Sequence, residues 1–321
     1  MNNKAIYRPL FLEAWKKTWH HKRLWILGIF TAVMASGGLF ESVSGSWQTA
    51  AKGRQMLEQC INGTLPGYQW LVSYSRYLAA LPSTQQYILS TIVILFIIGL
   101  IIIGAVAQGA ILSGSLEKHP SNFHELLKKG RGFFWRILGI DIIGKLAICL
   151  TFLIIVAPVA FLNPLPYGWH QYPPIISLII FLIGMILITT LQMLSLVGVV
   201  RKHLNISGAI YEAWNIFRFH IIVTFELGLL LFITSFVATL ATSIILFISA
   251  IPLMLLFVVA IMLGSAGFYA FSIFISVTAI VLIILLASGL LSTFQYTIWS
   301  LYFEEAGQFG IIPKIKRWLK K

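Results

Sequence analysis

Along the chain, long apolar runs alternate with short basic segments in which apolar and polar residues recur at helical spacing. Most runs match or exceed the roughly 18 apolar residues that mark a spanning helix. Six predict spans: Leu24 to Phe40, Tyr87 to Ser113, Phe134 to Leu162, Ile175 to Val200, Ile221 to Phe247, and Phe271 to Leu301. A seventh run, Ile251 to Leu263, has 13 residues. As a helix it would rise about 20 Å, short of the roughly 30 Å hydrocarbon core, so it reads as a re-entrant or interfacial piece.

The polar-patterned segments predict three amphipathic helices. Residues 7 to 20 place Tyr7, Leu10, Phe11, Ala14, Trp15 and Thr18 on one face, with Glu13, Lys16, Lys17 and His20 opposite. After Pro120, Phe123, Leu126, Leu127, Phe133 and Phe134 gather against His124, Lys128 and Arg131, and Asn122 and Glu125 stand at capping-box spacing. In the third segment Ile206, Ile210, Ala213, Trp214 and Phe217 face away from Glu212 and Asn215. Each leads straight into a span and suits the headgroup plane.

These segments align with one another. Phe11, Glu13, Ala14 and Trp15 match Ile210, Glu212, Ala213 and Trp214, with Phe123, Glu125, Leu126 and Leu127 in the same relative places. Lys16 and Lys17 recur as Lys128 and Lys129. The chain then reads as one integral membrane domain of three units, each an amphipathic helix plus two spans, over residues 5–114, 117–200 and 204–301, with a basic tail at 304–321. Either duplication or the common needs of helices that lead into a membrane would produce such a match. The expected fold is an all-α polytopic membrane helix bundle of about six transmembrane helices with three cytoplasmic interfacial amphipathic helices.

Composition agrees with the pattern. Of 321 residues 59% are hydrophobic and 10% charged, against about 25% charged in an ordinary soluble domain. Charge placement adds orientation. Of 23 Lys and Arg, 19 fall in four segments: before Leu24, from Lys118 to Arg136, at Arg201, Lys202 and Arg218, and after residue 313. The positive-inside rule makes all four cytoplasmic and with them both termini, as in a multi-pass protein of a bacterial inner membrane. Lys16, Lys17, Lys128, Lys129, Arg131, Arg201 and Lys202 are then candidate contacts for anionic lipid headgroups, each juxtamembrane cation contributing about 1 kcal/mol. Because the net charge of +13 is split among membrane edges, no nucleic-acid partner is expected.

Few residues carry candidate chemistry. Asp141 and Lys145 are four apart on the third span, at ion-pair spacing, and Glu226 stands early in the fifth. Together they form a candidate intramembrane polar site. Asp141 lies five residues past Arg136, about 8 Å along a helix, a depth from which side chains reach the interface. That favours structural pairing over transport. Ala105, Gly109 and Ser113 make a small-residue stripe for close helix packing. No GxSxG elbow, Walker loop, GxGxxG or HExxH spacing occurs, so neither catalysis nor a cofactor or metal is expected.

The Trp-rich lead-in to the first span (Glu13, Ala14, Trp15, Leu24, Trp25), two later basic connectors and a last span ending Thr297-Ile298-Trp299-Ser300-Leu301-Tyr302 give the chain a likeness. It resembles a broad group of bacterial six-span proteins that includes the membrane domain joined to some glycerophosphoryl diester phosphodiesterases. The resemblance implies a fold and a compartment and transfers no activity, since no phosphodiesterase domain is present. The expected role is lipid engagement in envelope or membrane organisation, or membrane scaffolding. The alternative is a small secondary transporter or permease component using the region of Asp141, Lys145 and Glu226.

Overall fold

The computed structural model describes residues 7–34, 82–117, 122–161 and 172–307. Residues 35–81 and most of the basic tail lie outside the described residues. Among the described residues there are nine helices and no strand. They are α1 (Tyr7–His20), α2 (Arg23–Met34), α3 (Ser83–Leu116), α4 (Phe123–Gly132), α5 (Phe134–Phe161), α6 (Tyr172–Lys202), α7 (Ile206–Phe219), α8 (Ile221–Leu263) and α9 (Ala266–Gly307). Five of these, α3, α5, α6, α8 and α9, are long and apolar enough to cross a membrane. The chain is an all-α, multi-pass membrane bundle. Of the first expected span, Leu24 to Phe40, the part to Met34 is seen as the shorter apolar helix α2, and the remainder lies outside the described residues.

One expectation fails. Residues 251–263 form no separate re-entrant or interfacial piece; they continue α8 without a break to Leu263. Pro252 sits inside the helix. Proline removes one backbone bond and crowds the preceding turn, yet the helix runs through it on both sides. The helix ends instead at Gly264, whose φ of 58° provides the left-handed turn into α9. At 43 and 42 residues, α8 and α9 each rise more than 60 Å, about twice the hydrocarbon thickness.

Packing around the bundle is cyclic. The first spans each lie between two second spans: α2 between α3 and α9, α5 between α6 and α3, and α8 between α9 and α6. The second spans α3, α6 and α9 also meet one another. The short lead-in helices follow the same rule, with α4 seated on α3, α7 on α6, and α1 on α9. Each is therefore docked on the last helix of the preceding unit, and the third unit closes onto the first. Ala14, Leu126 and Ala213, which the alignment equates, are all buried at these contacts. Asn122 does precede α4 as expected, but its side chain makes no capping bond.

The centre of this ring is the C-terminal half of α9. Thr293, Phe294 and every residue from Tyr296 to Phe303 are buried, the signature of a helix enclosed on all sides. Hydroxyl and amide bonds tie it to its neighbours: Ser115 to Ser300 at 2.8 Å, Thr224 to Tyr302 at 2.6 Å, Gln295 to Ser235 at 2.7 Å, and Thr293 to the carbonyl of Leu24 at 3.0 Å. Helix α2 approaches it through paired glycines. A Cβ on Gly28 would overlap the carbonyl of Gly289, and one on Gly289 would lie 2.6 Å from the carbonyl of Trp25.

Gly289→Ala is therefore expected to destabilise the bundle by about 1 to 3 kcal/mol, since backbone must shift to admit the methyl. Gly99→Ala, with nothing within 4 Å of the new atom, is expected to be neutral or to stabilise by up to about 1 kcal/mol through helix propensity. SDS-induced unfolding in bicelles reads both signs.

Candidate functional site

The second spans carry matching glutamines. Gln108, Gln192 and Gln295 each stand nine residues before a charged residue at the helix end, Glu117, Arg201 and Glu304. Nine residues of helix rise about 13 to 14 Å, so the three amides lie at similar depth on three mutually packed helices. Alignment of the amphipathic segments misses them; alignment of the second spans on their terminal charges finds them.

Two of these amides meet Asp141. The carboxylate on α5 is only 2% exposed, and its Oδ1 accepts a bond of 2.8 Å from Gln192 Nε2. Gln108, also 2% exposed, lies beside Asp141 and beside the buried Tyr296 of α9. The cluster thus draws one polar side chain from each of four spans. Gly144, three residues beyond Asp141, makes room for it: a Cβ there would overlap Gln192 Oε1 and lie 2.6 Å from Gln192 Cδ. Two oxygens in the cluster, Asp141 Oδ2 and Gln108 Oε1, are buried without a hydrogen-bond partner among the described residues.

This replaces the constellation expected from spacing. Asp141 and Lys145 form no ion pair; Asp141 turns into the seam among α3, α5 and α6, while Lys145 stays on the exposed face of α5. Four residues on a helix leave an offset of about 40°, enough to separate an inward from an outward direction. Nor does Asp141 reach for the interface. Glu226 is half-buried near the start of α8. The stripe of Ala105, Gly109 and Ser113 is buried within the chain, where a Cβ on Gly109 would lie 2.9 Å from Ile137 and 3.0 Å from Cα of Gly130.

At the end of the bundle that gathers α1, α4 and α7, charges stitch helices together. Lys129 pairs with Glu117, Arg201 with Glu304, and Lys202 with Glu212. Lys17 pairs with Glu13 at 3.3 Å and donates to the carbonyl of Ser115 at 3.4 Å, and Arg136 donates to the carbonyl of His203 at 3.0 Å. Of the seven cations expected to contact lipid, Lys17, Lys129, Arg201 and Lys202 are thus engaged by protein. Lys16, Lys128 and Arg131 are exposed, with no carboxylate partner among the described residues. Four indoles are exposed as well: Trp15, Trp19, Trp135 and Trp214. Trp15 stacks on Trp19 at 5.7 Å, Trp19 meets Trp25 at 5.4 Å, and Trp25 Nε1 donates to the carbonyl of Thr18 at 2.8 Å.

No family model, curated protein or solved structure matches the chain.

Gly144→Ala is expected to push Gln192 away from Asp141, at about 1 to 3 kcal/mol of stability, while Gly132→Ala, with open space around the new methyl, costs far less; chemical unfolding compares the two. A second expectation concerns the corner between α1 and α2. Burial holds the imidazole of His21 below the ordinary 6.5, with His20 and Lys17 adding repulsion. The fold favours neutral His21, so its contribution is intact above pH 6.5 and is lost as pH falls through the lowered value. Thermal unfolding between about pH 7.5 and pH 5.5 should show this loss, and His21→Gln should flatten it.

Proposed function

We propose that this is a lipid-engaging membrane protein whose basic end holds anionic headgroups, serving membrane organisation or acting as a scaffold. The observation that carries this reading is the division of labour on α1, α4 and α7. A narrow stripe of each helix (Leu10, Ala14 and Thr18; Leu126 and Gly130; Ala209, Ala213, Ile216 and Phe217) seats it on a span. The other faces leave Lys16, Lys128 and Arg131 exposed, and the indoles of Trp15 on α1, Trp214 on α7 and Trp135 at the start of α5 are exposed as well. Indoles settle at the level of headgroups, and cations outside protein ion pairs there are available to phosphate.

In this reading the basic end faces the cytoplasm of a bacterial cell, as the positive-inside rule orients it. The likeness to the six-span group joined to phosphodiesterases belongs to the same proposal. The transport alternative needs a polar pathway lined by Asp141, Lys145 and Glu226, and the outward direction of Lys145 argues against it.

Native mass spectrometry of the protein released from nanodiscs of mixed zwitterionic and anionic lipid tests the reading. Selective retention of anionic lipid, lost in the triple variant Lys16→Gln, Lys128→Gln, Arg131→Gln and kept in Lys145→Gln, is the expected result. Equal retention of both lipid classes by the unaltered chain would overturn it.

A further inference from the structure

The cluster around Asp141 poses a problem of hydrogen-bond accounting. A carboxylate oxygen and an amide oxygen are both acceptors, and in this cluster one of each is buried with no donor among the described residues: Asp141 Oδ2 and Gln108 Oε1. Such groups are costly to leave unsatisfied, the charged one most of all. Asp141 is 2% exposed and lies within a membrane-spanning helix, so bulk water does not solvate it. The nearby cation on its own helix, Lys145, is exposed. A cation held between the two oxygens satisfies both at once and, unlike a bridging water, also offsets the charge of the carboxylate; the donor set indicates its class. One carboxylate offers a single negative charge, and the neighbours are hard, neutral oxygens of Gln108, Gln192 and Tyr296. That set lacks the imidazole or thiolate ligands transition metals take, and the several carboxylates of a protein site for a divalent hard ion.

We propose that Asp141, with Gln108 beside it, is an intramembrane site for one monovalent cation, either a proton or a sodium ion. The site is built from the second spans of all three units plus α5. Its titratable neighbours are Tyr296 of α9 and Lys145 of α5, while α3 and α6 contribute the amides of Gln108 and Gln192. Gly144 keeps the α5 side open so that Gln192 reaches Oδ1, leaving Oδ2 for the cation. Occupancy would link α3, α5 and α6 through a single ion at the centre of the ring. This site is independent of the lipid contacts at the basic end.

The test uses the full chain in nanodiscs. Unfolding temperature is followed against sodium chloride, with N-methylglucamine chloride holding ionic strength constant, and infrared difference spectra against Asp141→Asn report a protonated carboxyl. A sodium-specific rise in unfolding temperature that Asp141→Asn abolishes, with the half-effect concentration raised about tenfold in Gln108→Leu, assigns sodium. A protonated-carboxyl band absent from Asp141→Asn and shifted in Gln108→Leu, with no sodium dependence, assigns the proton. Should Asp141→Asn fail to fold, Gln108→Leu and a global carboxyl isotope label provide the same two readouts. An ionised carboxyl with no sodium effect would mean that protein donors or a buried water satisfy Asp141, and would overturn the proposal.

Discussion

In hydrocarbon, apolar side chains gain nothing from one another that lipid does not also offer, so helices associate through close backbone approach and hydrogen bonds. Both converge on the C-terminal half of α9. Gly28 and Gly289 let α2 touch it backbone to backbone, and Ser300, Tyr302, Thr293 and Gln295 bond to α3, α8, α2 and α8 in turn. Removing that helix would leave α2 with α3 as its one major neighbour and would unseat α1. The closure of the third unit onto the first is thus the constraint on which the ring depends.

Around that axis the polar groups fall into two tiers. Deep in the bundle, Asp141, Gln108, Gln192 and Tyr296 are brought together by four different spans, where a low dielectric makes each bond strong and each missing bond costly. Nearer the surface, ion pairs such as Arg201 with Glu304 and Lys202 with Glu212 join helix ends. Those pairs are partly exposed and each contributes little. Their effect is to hold those side chains against protein carboxylates. The same end therefore offers two kinds of cation, one committed to the fold and one facing outward.

Sequence and structure diverge at particular residues for identifiable reasons. Spacing equates residues four apart with partners, but Asp141 and Lys145 also had to choose between protein and lipid, and Gly144 opened the protein side to Gln192. Run length treated residues 251–263 as a separate piece too short to span, whereas the helix that begins at Ile221 runs on through Pro252 to Leu263. The glutamines at nine residues from each helix end were visible all along, yet amphipathicity does not mark a residue whose whole neighbourhood is apolar.

By itself, the sequence determined the solvent, the helical class, the lead-in helices and where the basic residues concentrate, because each follows from local hydrophobicity and charge along one dimension. Tertiary structure alone decided that each lead-in helix docks on the preceding unit's second span, that Lys17 reaches the carbonyl of Ser115 while Lys129, Arg201 and Lys202 pair with distant glutamates, and that Asp141 faces two amides. These outcomes depend on which helix faces meet across hundreds of residues. That choice is settled by glycine-sized gaps and bond geometry between segments, which no single stretch of chain contains.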